Sequence, residues 1–249
     1  MYNFLIRGTT LICYRTCLAY VSPSSRILDV GIGNGAMMEE LHDVIRQKNL
    51  SITGIDVDRC YIEHCARQIV KNGLQEHVRV LYMPVERFEP PQGSLFDYIL
   101  FSMSFMLLDD PESVLDRVRA WLRPGGRILF FQTMFRRPSP LVDLVKPRLR
   151  YLTTVEFGRP VYHGEFHDLL VRKGMQVDED HLVSRTWFGG EYRFLAVAVD
   201  GPAGEEHGGV FLSPHASRRG LSLPRRTAAS VTAGGKRLFG GLRNRRRRN

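Results

Sequence analysis

No stretch of this 249-residue chain approaches about 18 uninterrupted apolar residues, so no transmembrane helix is expected. Cysteine is scarce: four residues, Cys13, Cys17, Cys60 and Cys65, all in the first third. None is spaced C-x-x-C and no zinc-type ligand set surrounds them, which argues against a zinc module and a disulfide scaffold. Reduced, mostly buried thiols and an intracellular protein are expected, with the cytoplasm as the expected compartment. Cys13 and Cys17 stand four apart on a helix, where packing rather than metal binding is the expected role. No internal repeat is visible.

Acidic residues are absent before Asp29 and sparse near the other end. Residues 200–249 hold 11 of the 35 Lys/Arg and 3 of the 26 Asp/Glu, leaving 24 against 23 for residues 1–199. The pI near 9.7 therefore belongs to the tail and is no evidence that the body binds nucleic acid. The tail is built of Gly, Ser, Pro and Arg with scattered apolar residues, so it cannot bury enough surface to fold and is expected to be disordered. Its run of four arginines at 245–248, with Lys236, Arg237 and Arg243, could hold RNA, anionic lipid or an import receptor. Phe239 alone is interleaved, so there is no base-stacking platform. The acid-poor, Arg-bearing start has two readings. One is a mitochondrial transit signal; the favoured one is a helix packed on the domain edge, with an upstream part outside this chain.

What is present is a rhythm. RILDV (26–30), SITGIDV (51–57), HVRVLYM (77–83), LFDYILFS (95–102) and RILFFQTM (127–134) read as strands. Helical patterns fall between them at 36–48, at 58–73 and after Asp110, which caps a helix with Pro111 in its first turn. Pro124, Gly125 and Gly126 stop that helix and turn the chain. Strands joined by helices of a dozen residues imply parallel pairing, hence an α/β doubly wound, mostly parallel sheet. Residues 135–165, rich in proline, arginine and lysine, are expected to form an insertion or lid. A short helix at 163–173 and strands at 175–184 and 191–199, an antiparallel pair, complete a domain of 1–199.

The glycines Gly31, Gly33 and Gly35 follow the first strand directly. Such a loop lets a ligand approach the backbone at the carboxyl end of the sheet, beside a helix N-terminus. Gly31, Gly33 and Ala36 satisfy G-x-G-x-x-G/A, so a dinucleotide fits as well as S-adenosylmethionine. Asp56, closing the second strand, can accept from both ribose hydroxyls, with Val57 against the adenine; this too suits either ligand.

The segments ILDVGIGNG, ITGIDVD, FDYILFSMSFMLL and, above all, VRAWLRPGGRILFF resemble the class I S-adenosylmethionine-dependent methyltransferase family over about residues 20–135, and 160–199 more loosely. The resemblance implies a Rossmann-like methyltransferase fold with S-adenosyl-L-methionine as cofactor. Asp29, Gly31, Gly33 and Gly35 would hold its methionine end, and Asp56 and Val57 its ribose and adenine. The acid the family often carries after strand three is missing; Met83, Pro84 and Val85 stand there. Glu86 either replaces it or is a solvated acid at a helix start. Ser102 is placed with the cofactor-binding residues, and with Met103, Ser104 and Phe105 it lines an apolar floor or simply packs in the core.

Methyl transfer from a sulfonium is an in-line displacement that chiefly needs positioning, with a base for an amine or hydroxyl acceptor. The Asn/Asp-Pro-Pro-aromatic motif of base-amino methylation is absent after strand four, and no cysteine lies near strands four to six for covalent attack on a pyrimidine. A small-molecule or lipid-like acceptor is therefore expected. The catalytic candidates are His163, Tyr162 and His167, or else two exposed histidines at a helix start. No third ligand joins the histidines and Glu165 in the sequence, so no metal is expected. Alternatives are an RNA or protein methyltransferase gripping its substrate with the basic lid and tail, a non-catalytic scaffold in a ribonucleoprotein, and a dinucleotide oxidoreductase.

Overall fold

The computed structural model describes residues 2–136, 160–186 and 189–199, with side chains from Gly8 onward. Most of the expected lid, including Arg137, Lys146, Arg148 and Arg150, and the whole basic tail lie outside the described residues.

Helix α1 (Tyr2–Tyr20) buries Cys13, Tyr14, Cys17 and Leu18. It leads into β1 (Arg26–Val30), α2 (Ala36–Gln47), β2 (Ser51–Asp56), α3 (Arg59–Lys71), β3 (Val78–Tyr82) and β4 (Phe96–Ser102). Then follow α4 (Pro111–Arg119), β5 (Leu122–Phe135), β6 (Val161–Tyr162), α5 (His163–Arg172), β7 (Met175–Arg185) and β8 (Glu191–Val199). The helices start where caps allow. The Asp58 carboxylate accepts from the Cys60 and Tyr61 amides at 2.8 and 3.2 Å, and the Asp110 carboxylate accepts from the Ser113 amide at 3.1 Å. Asp58→Ala should cost about 1 kcal/mol in urea denaturation, the usual worth of an N-cap.

The strands form one sheet in the order β3-β2-β1-β4-β5-β8-β7, with β6 beside β5. β1 to β6 pair in parallel; β5–β8 and β7–β8 are antiparallel. The expected doubly wound sheet with an antiparallel pair at one end is what forms. Helices cover both faces. One face packs α1, α2 and α3 around Ile27, Ile52, Leu129, Phe131 and Phe194. The other packs α4 and α5 around Phe101, Phe130 and Leu195. There Phe101 stacks on Phe130 at 5.4 Å, Phe105 meets both rings edge-on, and Phe166 meets Phe130 and Phe105 edge-on.

Two local expectations change. The Pro124–Gly126 turn is not a break before a strand beginning at 127: β5 already pairs at Leu122, opposite Phe96, and resumes with Arg127 opposite Tyr98. Residues 123–126 bulge out of the strand, with Gly125 at φ +80. Residues 161–162 pair with Met134 and Phe135, a two-residue strand too short to show a period in the sequence.

Candidate functional site

The sheet's order reverses between β1 and β4, the place where doubly wound sheets bind ligands. The loop 31–35 leaves β1 there. It is tied to β2 by the Gly31 and Ile32 amides, which donate to the Ile55 carbonyl at 2.8 and 3.1 Å. The Gly33 amide donates to Asp56 Oδ2 at 2.8 Å, and the Asp58 amide donates to Asp56 Oδ1 at 2.9 Å. Each carboxylate oxygen keeps a lone pair for a further donor. Val57 beside it is 66% exposed, an apolar side chain left in the open at the site's edge.

The three glycines, alike in the sequence, do different work. A side chain at Gly31 would meet Ser104 Cβ at 2.5 Å, and one at Gly35 would meet the Cα of Cys65 at 3.0 Å. Those two are small because β4's exit and α3 press against the loop. Gly33, at φ +67, has nothing within 4 Å of where its Cβ would be. It is the position whose missing side chain leaves room for something else.

Beneath the loop, Asp29 is fully buried. The Tyr14 hydroxyl approaches its Oδ2 at 3.0 Å and the Ile32 carbonyl at 3.1 Å. Among the described residues, Asp29 Oδ1 has no hydrogen-bond partner. Burial pushes the Asp29 carboxyl up to about 7, with the Asp56 charge adding to the rise and Tyr14 opposing it. Ser102 lies in the same buried layer, its hydroxyl 2.8 Å from Cys13 Sγ. Ser104 donates to the Val30 carbonyl, and Met103 has a positive φ of 60. These residues brace the strand ends under the loop, while Phe105 joins the aromatic core. Glu86 is exposed in a short 3₁₀ turn, Val85–Arg87.

The histidines go elsewhere. His163 Nε2 and His167 Nε2 lie 2.9 and 3.1 Å from Asp180 Oδ2 on β7, and Tyr162 faces Phe135 with rings 6.4 Å apart. β7 is four strands from β1, roughly 19 Å at the usual inter-strand spacing. His163 and His167 thus meet Asp180 on β7, while Tyr162 stays on β6 beside Phe135 of β5. Sequence reasoning missed Tyr14, Asp180, Arg193 and Gln132. Gln132, fully buried on β5, has neither amide atom hydrogen-bonded among the described residues. Its signal was an amide side chain in the apolar middle of RILFFQTMF.

A buried carboxylate with an orphaned oxygen, a second carboxylate with spare acceptors and an open position at Gly33 fit an aminoacyl nucleoside. The methyltransferase domain model matches residues 27–126, spanning β1 to the bulge of β5. Over that stretch the chain is similar to S-adenosylmethionine-dependent methyltransferases. It is 32% identical over 116 residues to a ubiquinone biosynthesis O-methyltransferase of Bordetella avium, covering 46% of this chain and 44% of that protein. It is 27% identical over 168 residues to a malonyl-[acyl-carrier protein] O-methyltransferase of Halalkalibacterium halodurans, covering 61% and 59%. The chain spans about half the length of these relatives. A methyltransferase from Geobacter sulfurreducens, solved with S-adenosyl-L-homocysteine, shares the fold at a TM-score of 0.58 and 15% identity, covering 76% of this chain and 90% of that one. Among the described residues, no helix is long and apolar enough to cross a membrane.

Proposed function

We propose that the chain is an active S-adenosylmethionine-dependent methyltransferase acting on a small-molecule or lipid-like acceptor. The observation that carries the reading is the open space at Gly33, whose amide holds Asp56, above the buried Asp29, with no cation among the described residues bonded to either carboxylate. Such a cleft favours a ligand bearing an ammonium and a sulfonium. It disfavours the pyrophosphate of a dinucleotide, whose charge would meet the same two acids. In this reading Asp29, Gly31, Gly33 and Gly35 shape the methionine end, Asp56 takes the ribose and Val57 covers the adenine. Glu86, exposed, serves the adenine rim, and Ser102 supports the site through the buried layer. The cofactor brings an already activated methyl group; the protein's part is to hold the acceptor in line with it. Gln132 offers the acceptor a buried donor and acceptor. The small-molecule chemistry of the relatives named above supports the acceptor class.

Asp56→Ala should weaken S-adenosylmethionine binding by about 1.5–3 kcal/mol, the scale of lost hydrogen bonds to a charged group, read by calorimetry. Incubation of the protein with methyl-labelled cofactor and fractionated cell extract should place the label in the small-molecule or lipid fraction. Label in RNA or protein would move the acceptor to the alternative class, and absence of cofactor binding at millimolar ligand would leave only a scaffold.

A further inference from the structure

We propose that His163, His167 and Asp180 form a binding site for a divalent transition metal of the zinc type, joining the first turn of α5 to β7. It does not depend on the methyl-transfer reading. Candidate ligand atoms of the three residues all lie within 4.8 Å of one another. The two histidines are one helical turn apart on α5, with rings 4.4 Å between centroids. Both Nε2 atoms converge on one oxygen, Asp180 Oδ2, at 2.9 and 3.1 Å. Two imidazoles and one carboxylate are a donor set suited to Zn²⁺ and its neighbours, with a fourth position left for water.

The carboxylate is also held in the orientation a metal needs. Its other oxygen, Oδ1, accepts from Arg193 Nε and lies as close to a second guanidinium nitrogen, both at 2.8 Å. Arg193 is itself fixed by Glu191 at 2.8 Å, and Glu191 by Arg136 at 2.9 Å, with Arg185 at 3.6 Å. Such outer partners orient first ligands and are part of working metal sites. Glu191 and Asp180 balance the guanidinium charge, so a divalent ion would not meet a bare cationic wall. The ligands are half-buried, with side chains 35%, 30% and 17% exposed, so an ion can enter from solvent. Each imidazole would coordinate through the lone pair of its Nε2.

The test uses the full chain, stripped with a chelator and titrated with Zn²⁺ at pH 7.5, following heat and melting temperature. A single site with micromolar or tighter affinity and a raised melting temperature are expected. With Co²⁺ the same site should give visible d–d bands of a four-coordinate centre, and Mg²⁺ should give no effect. His167→Gln and Asp180→Asn should each weaken Zn²⁺ binding by about 100-fold and abolish the cobalt bands. Far-ultraviolet circular dichroism should show both variants folded; if His167→Gln does not fold, Asp180→Asn, which keeps the Arg193 contact, decides alone. No binding or melting shift with excess Zn²⁺, or a site surviving in Asp180→Asn and thus formed elsewhere, overturns the proposal.

Discussion

Gly33→Asn is expected to abolish S-adenosylmethionine binding while leaving the protein folded. Asparagine tolerates a positive φ better than other side chains, so φ +67 at this position costs little of the fold. Its Cβ has no described protein atom within 4 Å. It enters the volume assigned to the cofactor, beside the amide that donates to Asp56. Affinity should fall at least about 1,000-fold, about 4 kcal/mol, by calorimetry with S-adenosylmethionine. Gly31→Asn separates the roles: its Cβ would stand 2.5 Å from Ser104 Cβ, so the first loss there is stability. If Gly33→Asn binds the cofactor as the wild type does, the ligand lies elsewhere and the assignment of the loop fails.

The sheet was legible because each level of the sequence agreed. Apolar strands of five to eight residues, helical spacing between them and caps at Asp58 and Asp110 all pointed to parallel crossovers. The glycine loop and Asp56 were legible for the same reason: they fall at strand ends fixed by local pattern. What was hidden depends on contacts between distant elements. Nothing in α1 announces that Tyr14 reaches Asp29, since an amphipathic stripe specifies burial and not a polar partner. Asp180 was hidden by register. β7 pairs Val177 with Val197 and then Glu179 with Ala196, a one-residue bulge. The bulge turns Asp180, opposite Leu195, onto the face of α5; simple alternation from Val177 would point Glu179 there instead. Glu191 and Arg193 did leave a trace, two charges on the same period as Leu195 and Val197 in an otherwise apolar strand. Buried charges of opposite sign two residues apart in a strand signal a network.

Raising the pH from 4 to 7 should remove about 4 kcal/mol of folding stability through Asp29 alone. Its folded carboxyl titrates near 7, against about 3.9 in an unfolded chain. The raised value means that the native state holds the proton more tightly. Stability from this group is therefore fully present below pH 4, declines as the unfolded chain ionises first, and levels off above 7. Asp180 and Glu191 act in the opposite sense and at lower pH. Their carboxyls are held below the ordinary range by Arg193 with the histidines, and by Arg193 with Arg136, against the cost of burial. Their contribution is present above the ordinary carboxylate value and lost as pH falls through the lowered one, so the interval from 4 to 7 belongs to Asp29. Urea midpoints of the wild type and Asp29→Asn at pH 5 and pH 8 give the comparison. The asparagine oxygen still accepts from Tyr14, and the variant's pH dependence should be flatter than the wild type's in that interval. Parallel curves would show that Asp29 does not carry the shift. The same proton links folding to the proposed ligand. An ammonium placed against Asp29 Oδ1 favours the charged carboxylate, so S-adenosylmethionine should bind more tightly as pH rises from 5 to 8 and should release a proton below pH 7. In Asp29→Asn both the affinity gain and the proton release should disappear.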